Sequence, residues 1–520
     1  MPGGRCPQVA ARPLRFCGAG TWMGRMWGLC PLAPRMRPRG VFGRLFGPWH
    51  GRLANARKLR SLGIFLDIAA RNFFRGMSTS HCPPDVFSQL SHLLPMHWKR
   101  RRGSLGPPQV LMSLMVMSVL GTKGYERTIE EMKAYLGKVL GWHTPESTPS
   151  AQALSQARRK LTPERCREVV VQVRARCTTS CEHRALGYGG FNLLAIDGTK
   201  APLPAYRTII DHFGCPTQAP KGPQASLTVL WDVGANQPVD WQLGPYRVCE
   251  RLHALNLLAG TGPQDLVLAD CNFASRRILF QLSSQRSQWL MNIRCAGSGT
   301  LAEVVDFVDS GLLEQTRSLV MRDHYGHQKA DLPVITVRLL RQVSPNGTIR
   351  VFVTSLTDTE QHPAAVLLNL YACRWRVETA FRELKLWHGL ERFHARYPDG
   401  IYQEVAALML FQLLSSELEA KARVHHQLPS VTPPEDITPP DAGETITKPT
   451  VRFNRRIVAD CAVGLLFAAA QGDQRLREEF DYCLFRIWRY RQKVRDGRSF
   501  PRKRNSPARG WKDKFRKGKP

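Results

Sequence analysis

The sequence has no apolar run long enough to cross a membrane as a helix, which takes about 20 residues. Its longest apolar run, Val110–Leu120, follows the helix-start signal Gly106-Pro107-Pro108. We interpret this run as a buried helix and expect a soluble protein with no membrane partner. The sequence also has no internal repeat, which argues against a repeat architecture.

Paired cysteine motifs are missing as well. None of the 14 cysteines belongs to a Cys-x-x-Cys pair. Cys177 and Cys181 lie four residues apart, but no second Cys or His pair follows at the spacing of a zinc site. We interpret both as ordinary helix residues. Cysteine usage of this kind is typical of a reducing compartment, so we expect a cytoplasmic location.

Acidic residues are missing from the beginning of the chain. Residues 1–66 hold twelve Lys or Arg and no acid, and the first acid is Asp67. Residues 486–520 hold fifteen Lys or Arg against Asp496 and Asp513, so the two ends carry most of the net charge of +32. This charge favours nucleic acid as the partner, because Lys and Arg neutralise phosphates. An anionic membrane surface and a merely solvated tail remain alternatives.

Residues 1–76 lack any helical or strand period and are rich in Arg, Gly, Pro and Trp. An Arg-rich, acid-poor start is typical of a mitochondrial transit peptide, yet this one is poor in Ser. We prefer the explanation that translation begins at Met77 and that the upstream stretch is an over-extended reading frame. We interpret it as a non-native or disordered extension and expect no function there.

The whole chain is 43% hydrophobic, which is typical of a folded protein, and its 520 residues are enough for two to four domains. From residue 83 to 183 the pattern is helical, and we predict an N-terminal helical DNA-binding domain over 77–183. A helix over 151–161 ends in a cationic cluster, and we expect Arg158 and Arg159 to contact DNA. Surface charge at a helix end is the alternative explanation.

Beyond this domain, short apolar runs alternate with helical stretches, which indicates an α/β fold. Val334–Val343 and Thr348–Leu356 flank Ser344-Pro345-Asn346-Gly347, a hairpin signal. Helices are predicted over 364–389, 402–424 and 455–471. The predicted segments are 184–295 (first part of an α/β core), 296–362 (β-rich insertion), 363–427 (second part of the core), 428–450 (Pro/Thr-rich linker) and 451–520 (C-terminal helix and basic tail).

Two apolar runs stop at an aspartate. Leu193–Ile196 precedes Asp197, and Leu266–Ala269 precedes Asp270. Continuous apolar runs are typical of strands buried on both faces. Ligands gather at the carboxyl ends of strands in an open α/β sheet, so two neighbouring strands would bring both carboxylates to one edge. An Asp after a strand is also common in turns, and this alternative stays open for each run taken alone.

The segment around Glu378 predicts a helix with two different faces. At about 100° per residue, one stripe about 60° wide holds Tyr371, Arg374, Glu378 and Lys385. A separate apolar stripe holds Val377, Ala380, Phe381 and Leu384. The helix would thus pack on the sheet while presenting a carboxylate flanked by cations and a phenol. A Glu–Arg pair four residues apart can instead be simple helix stabilisation.

The pattern Tyr-x-x-Arg-x-x-x-Glu-x-x-x-x-x-x-Lys, from Tyr371 to Lys385, resembles the signature of the insertion sequence four family of bacterial DDE transposases. That family includes the transposon five transposase. Residues 350–358 resemble the segment that precedes this signature in the family. Residues 155–161 resemble the family's N-terminal helical domain, and residues 499–503 resemble its basic C-terminus. The similarity covers roughly residues 83–505.

The resemblance implies an RNase H-like catalytic core with a β-rich insertion between the second Asp and the Glu. It implies that Asp197, Asp270 and Glu378 are the catalytic carboxylates. Two Mg²⁺ ions, for which Mn²⁺ can substitute, suit such an all-oxygen ligand set. We expect Asp197 to bridge the ions, and Asp270 and Glu378 to bind one each. Tyr371, Arg374 and Lys385 would grip DNA phosphates beside the cut.

The expected activity is therefore cleavage of the ends of an insertion element and their joining to target DNA. The expected partners are these DNAs and a second copy of the chain in the synaptic complex, in the bacterial cytoplasm at the nucleoid. One departure concerns the second Asp: the family commonly has Asp-Arg-Gly-aromatic, and this chain has Asp270-Cys271-Asn272-Phe273.

Two other functions are weighed against this one. A catalytically decayed or repurposed transposase that only binds DNA would keep the basic regions, but it predicts the loss of some carboxylates, and all three are present. Another RNase H-like nuclease, acting on RNA or branched DNA, would explain the carboxylates but not the stripe of Tyr371, Arg374 and Lys385.

Overall fold

The computed structural model describes residues 105–121, 124–180, 187–216, 222–297, 300–321, 333–344, 347–428 and 451–493. Predictions for residues 1–76, for 429–450 of the linker and for the tail from 494 lie outside these residues. The described helices are α1 Pro107–Leu120, α2 Tyr125–Leu140, α3 Ala151–Arg158, α4 Pro163–Ser180, α5 Arg207–Phe213, α6 Glu250–Leu258, α7 Arg276–Ser284, α8 Ala302–Asp309, α9 Ala364–Tyr371, α10 Trp375–Leu386, α11 Pro398–His425, α12 Arg455–Gln471 and α13 Asp473–Arg489.

The described strands are as follows: β1 Gly187–Tyr188, β2 Phe191–Pro202, β3 Gln224–Asp232, β4 Gln237–Pro245, β5 Asp265–Ala269, β6 Gln288–Ile293, β7 Glu314–Val320, β8 Val334–Val343, β9 Ile349–Thr354, β10 Val451–Arg452 and β11 Gln492–Lys493. Helices α1 and α12 agree closely with their predicted bounds. Helix α1 follows the predicted start signal, and α12 begins after Asn454, whose side chain accepts a hydrogen bond from the Arg456 amide. Among the described helices, none is long and apolar enough to cross a membrane.

Strands β1 to β9 form one mixed sheet in the described part of the chain, in the order β4-β3-β2-β5-β6-β9-β8-β7, with β1 paired to β2. Strands β2, β3 and β4 are antiparallel neighbours. Strands β2, β5 and β6 are parallel. The predicted fold class is confirmed at this level, as a mixed α/β protein with a large mixed sheet.

The predicted hairpin is present and extends the sheet. Strand β8 pairs antiparallel with β9, and Ser344 accepts a 2.8 Å hydrogen bond from the Gly347 amide. Gly347 has a φ of 79°, a conformation that costs glycine little. Because β9 also pairs antiparallel with β6, the strands of the 296–362 segment continue the sheet.

Both faces of the sheet are covered, which explains the continuous apolar runs. Alternate residues of β2 enter two different cores: Leu193 and Ala195 pack in one, and Leu194 and Ile196 pack in the other. The first core also contains residues of α1 to α4, of α10 and α11, and of the C-terminal helices. The second core contains residues of α6, α7 and α8.

The helix predicted over 364–389 is interrupted. Helix α9 ends at Tyr371, a 3₁₀ turn spans Ala372–Arg374, and α10 begins at Trp375. The prediction of one continuous helix is therefore wrong. Its apolar stripe is nevertheless buried, because Val377, Phe381 and Leu384 pack in the core.

Candidate active site

Asp197 and Asp270 lie side by side on neighbouring parallel strands. Ile196 of β2 is the register partner of Ala269 of β5, and each aspartate is the next residue of its chain. Asp270 follows the end of β5, as predicted. Asp197 does not end its strand, because β2 continues to Pro202 and pairs with β3 beyond the aspartate. That part of the prediction is wrong.

The carboxylate of Asp197 is mostly buried. Its side chain is 18% exposed, and its Oδ1 accepts a 2.8 Å hydrogen bond from the Gly198 amide. Burial raises the pKa of Asp197 to about 6, against the opposing effects of this hydrogen bond and of Arg374. The nearby carboxylates of Asp270 and Glu378 raise it further.

Arg374 links the third carboxylate to the first. Its Nη2 lies 2.6 Å from Glu378 Oε1, and its Nη1 lies 3.8 Å from Asp197 Oδ2. The Arg374 side chain is only 8% exposed, so the guanidinium is held between the two acids. Within the part of the chain that the structure describes, no group of three or more His, Cys, Asp or Glu side chains lies in metal-binding geometry.

Asp270 begins a turn that is fixed by side chains. Its Oδ1 accepts a 2.9 Å hydrogen bond from the Asn272 amide, and Asn272 Nδ2 donates to Glu250 Oε2 at 3.1 Å. The Asn272 carbonyl accepts a 2.6 Å bond from Arg251 Nε. Helix α6 therefore holds the turn through both of its first two residues.

Glu250 is a fourth carboxylate near the site that the sequence analysis missed. Its Oε1 lies 3.4 Å from Lys200 Nζ, and a Cβ on Gly198 would lie 2.8 Å from its Cδ. Glu250 thus contacts both the strand of Asp197 and the turn of Asp270. Its position in sequence carries no spacing signal, because only the sheet brings α6 to this edge.

Tyr371 lies beside the site with its ring packed inward. The ring contacts Phe352 edge-on at 4.8 Å, and the Arg374 guanidinium lies 5.7 Å from its centroid. Burial raises the pKa of Tyr371 to about 12, so its phenol stays a proton donor at neutral pH. Of the predicted stripe, Tyr371, Arg374 and Glu378 are therefore brought together.

Lys385 lies farther along α10 with its own partners. Its Nζ lies 3.3 Å from Glu391 Oε1 and 3.5 Å from the carbonyl of Lys200. The latter contact ties it to the end of β2. About a third of the Lys385 side chain is exposed, and its contact with a DNA phosphate stays a prediction.

Arg158 does not have the position expected of a DNA contact. It is fully buried, with Nη2 2.7 Å from Glu404 Oε1 and Nε 2.7 Å from Gln403 Oε1. This expectation is wrong, because the Arg158 side chain reaches α11 and its charge is buried there against Glu404. Arg159 is exposed and lies 5.4 Å from the Tyr397 ring. Its contact with DNA stays a prediction.

Residues 189–414 match the family model of the transposase DDE domain, and this range contains all three carboxylates. Over 323 residues the chain is 24% identical to the transposase InsG for insertion sequence element IS4 of Escherichia coli (strain K12), which covers 58% of this chain and 67% of that protein. Both matches confirm the predicted resemblance to the insertion sequence four family of DDE transposases.

A solved structure of the piggyBac transposase synaptic complex with hairpin DNA is also similar to this transposase. It is 12% identical, with a TM-score of 0.35, and the similarity covers 78% of this chain and 80% of that chain. This similarity is too weak to define a common fold.

Proposed function

We propose that this transposase cleaves the ends of an insertion element and joins them to target DNA, with Asp197, Asp270 and Glu378 as ligands of two divalent ions. The observation that carries this proposal is the pairing of Ile196 with Ala269, which places two of the carboxylates on adjacent strands. Arg374 adds the third, since it contacts both Glu378 and Asp197.

The sheet supports an RNase H-like core as part of this proposal. Strands β4, β3 and β2 form an antiparallel meander, and β5 and β6 follow in parallel on the other side of β2. The three strands β7, β8 and β9 lie in the sequence between Asp270 and Glu378 and join the sheet through β6. This is the arrangement that the family resemblance implies for a core with a β-rich insertion.

The site's ligand chemistry suits a hard divalent cation such as Mg²⁺, or Mn²⁺ in its place, although its acids do not already stand in metal-binding geometry. Its three acids offer only oxygen, which is the ligand type that such ions prefer. The Arg374 guanidinium already lies between the carboxylates of Asp197 and Glu378. Both carboxylates therefore face a position that a positively charged group, the guanidinium itself, occupies. Two ions bound here would activate the attacking water or 3′-hydroxyl and stabilise the leaving oxygen.

The protein's own cations would place the DNA for this reaction. We expect Arg374 to exchange its two carboxylate partners for the phosphate beside the cut, because the two Nη groups that face Glu378 and Asp197 can bind one phosphate together. The Tyr371 hydroxyl can donate a hydrogen bond to the same strand, and Lys385 can contact a phosphate near the end of β2. Held in this way, the scissile bond lies in line with the attacking oxygen.

The partners and location follow from the same proposal. Element ends and target DNA are the substrates, Arg159 is a candidate contact of the helical part, and two copies of the chain would bring two ends together. We expect the protein to act at the nucleoid in the bacterial cytoplasm.

The test is cleavage of a marker flanked by DNA from either side of the gene, in Mg²⁺ and in EDTA. We expect the intact chain to excise the marker only with Mg²⁺, and Glu378→Gln to bind the flanks without cutting them. The exposed Glu360→Gln is the matched control and should cut normally. Full excision by Glu378→Gln would contradict the metal assignment.

A decayed or repurposed DNA-binding protein is the second candidate. It is favoured by the turn after Asp270, where Asn272 stands in place of the family's glycine and is bound to Glu250. Specific binding of the flanks by both the intact chain and Glu378→Gln, with excision by neither, would establish this second function.

A further inference from the structure

A basic cleft opens on the side of α10 next to the catalytic carboxylate. Its volume is about 600 Å³. It lies between α10, the turn that joins β3 to β4, helix α11 and the beginning of α12. Its described charged lining residues are Arg376, Arg382, Arg423, Arg452, Arg455, Glu383 and Glu419.

The acids of this cleft are already paired within it. Glu419 contacts Arg455, and its other oxygen lies 3.3 Å from Arg423 Nη2. Glu383 lies 3.9 Å from Arg455 Nε. Two acids therefore face five described arginines, and the cleft has an excess of positive charge.

The rim arginines have no such partner. Arg382 and Arg452 are exposed, and neither forms an ion pair with a described residue. Deeper in the cleft, Arg376 Nη1 donates to the Val233 carbonyl at 2.9 Å. Burial lowers the pKa of Arg376, and repulsion from other arginines of the cleft lowers it further. Cations held this close together are stabilised by an anion between them.

The cleft also has an aromatic wall. Trp375, Trp387 and Phe453 line it, and Trp375 is 53% exposed despite its size. Trp387 is half-buried and Phe453 is buried, so Trp375 is the ring that a strand can stack on. An exposed aromatic ring among cations is typical of surfaces that bind a nucleic-acid strand. An inorganic anion would need only the cations.

The cleft is continuous with the catalytic face of α10. Trp375 lies one turn before Glu378 and Arg382 one turn after it, so the three side chains are neighbours on the helix surface. A strand bound at Glu378 would therefore have Trp375 and Arg382, at the edge of the cleft, within one helical turn of it.

We infer that this cleft binds the phosphodiester backbone of the DNA strand that leads away from the cut. This inference rests on the proposed function, since it takes Glu378 as the place of cleavage. The strand can be the element end or the target DNA, which present the same backbone chemistry.

The test is the salt dependence of DNA binding by the full chain in EDTA, which prevents cleavage. The probes are a labelled duplex of the element end and, separately, a labelled target duplex offered to complexes with pre-cleaved ends. For the double variant Arg382→Ala/Arg452→Ala, we expect the slope of log affinity against log salt concentration to fall by about two with at least one of the two probes.

Two variants control for folding and for charge. Arg382→Lys/Arg452→Lys keeps both cations and should keep most of the slope. Arg477→Ala removes an exposed arginine of α13 that forms no ion pair with a described residue, and should leave the slope unchanged. Thermal midpoints equal to that of the wild type would show that each variant is folded.

Comparison of the two probes also identifies which DNA the cleft binds. A lower slope with the element end alone places that end in the cleft, and a lower slope with the target alone places the target there. A wild-type slope with both probes would overturn the inference, even while loss of cleavage in Glu378→Gln upheld the proposed function. If the intact chain neither cut nor bound DNA, the proposed function and the cleft inference would both fail.

Discussion

Arg374 Nη2 lies 2.6 Å from Glu378 Oε1, and the same guanidinium also faces Asp197. One buried cation thus neutralises part of a cluster of acids that would otherwise repel each other. The relationship implies competition between Arg374 and a metal ion for these carboxylates.

We therefore expect Arg374→Ala to bind Mn²⁺ more tightly than the wild type when no DNA is present, although it cleaves DNA poorly. Isothermal titration with Mn²⁺ measures the affinity directly. Lys385→Ala controls for the general loss of one positive charge and should change the affinity less. Weaker Mn²⁺ binding by Arg374→Ala would show that the guanidinium positions the acids and does not compete.

Lys385→Ala should weaken binding of the element end and flatten its salt dependence. One lost phosphate contact lowers the slope of log affinity against log salt by about one. Anisotropy titrations over a range of salt concentrations measure this slope. A slope equal to that of the wild type would mean that Lys385 serves Glu391 and the Lys200 carbonyl alone.

Gly198→Ala should destabilise the fold by no more than about 1 kcal/mol, because the Glu250 carboxylate is the end of a flexible side chain and can shift at the expense of its contacts with Lys200 and Asn272. The new Cβ would lie 2.8 Å from Glu250 Cδ. In a Glu250→Ala background the same change should cost much less, because its steric partner is gone. Urea unfolding of the four proteins of this cycle measures the coupling, and additive effects would contradict the contact.

Arg158→Ala should lower the free energy of unfolding by about 3–5 kcal/mol, because it leaves the charge of Glu404 buried without its partner. Both side chains are almost fully buried, at 0% and 2% exposure. The neighbouring Arg159→Ala is the matched control and should cost less than about 0.5 kcal/mol. Equal denaturation midpoints for the two variants would contradict the buried ion pair.

His388 should make stability depend on pH. Burial, reinforced by Arg455, lowers its pKa from 6.5 to about 4. The neutral ring packs edge-on against Phe411 at 5.2 Å. Its contribution to the free energy of unfolding is therefore complete above pH 6.5 and is lost as pH falls toward 4. The loss amounts to about 3 kcal/mol.

Urea unfolding at several pH values checks this. His388→Leu should reduce the slope of stability against pH between 6.5 and 4, whereas the exposed His143→Leu should keep it. An unchanged slope in His388→Leu would assign the acid sensitivity to other groups.

Local features were predictable from the sequence because the signals for them lie within a few residues. The apolar runs before Asp197 and Asp270 are strands, the Ser344–Gly347 turn joins two antiparallel strands, and α12 spans its predicted residues. The pattern from Tyr371 to Lys385 likewise lies within one short segment, and it resembles the signature of the insertion sequence four family.

The tertiary structure decided what depends on residues far apart in the chain. Strand β2 runs past Asp197 because β3 pairs with its second half, and Arg158 is buried because α11 supplies Glu404. The bridge from Arg374 to Asp197 joins residues 177 positions apart. Such contacts arise only when strand order and helix packing set the distance, because neither periodicity nor spacing encodes which distant element becomes a neighbour.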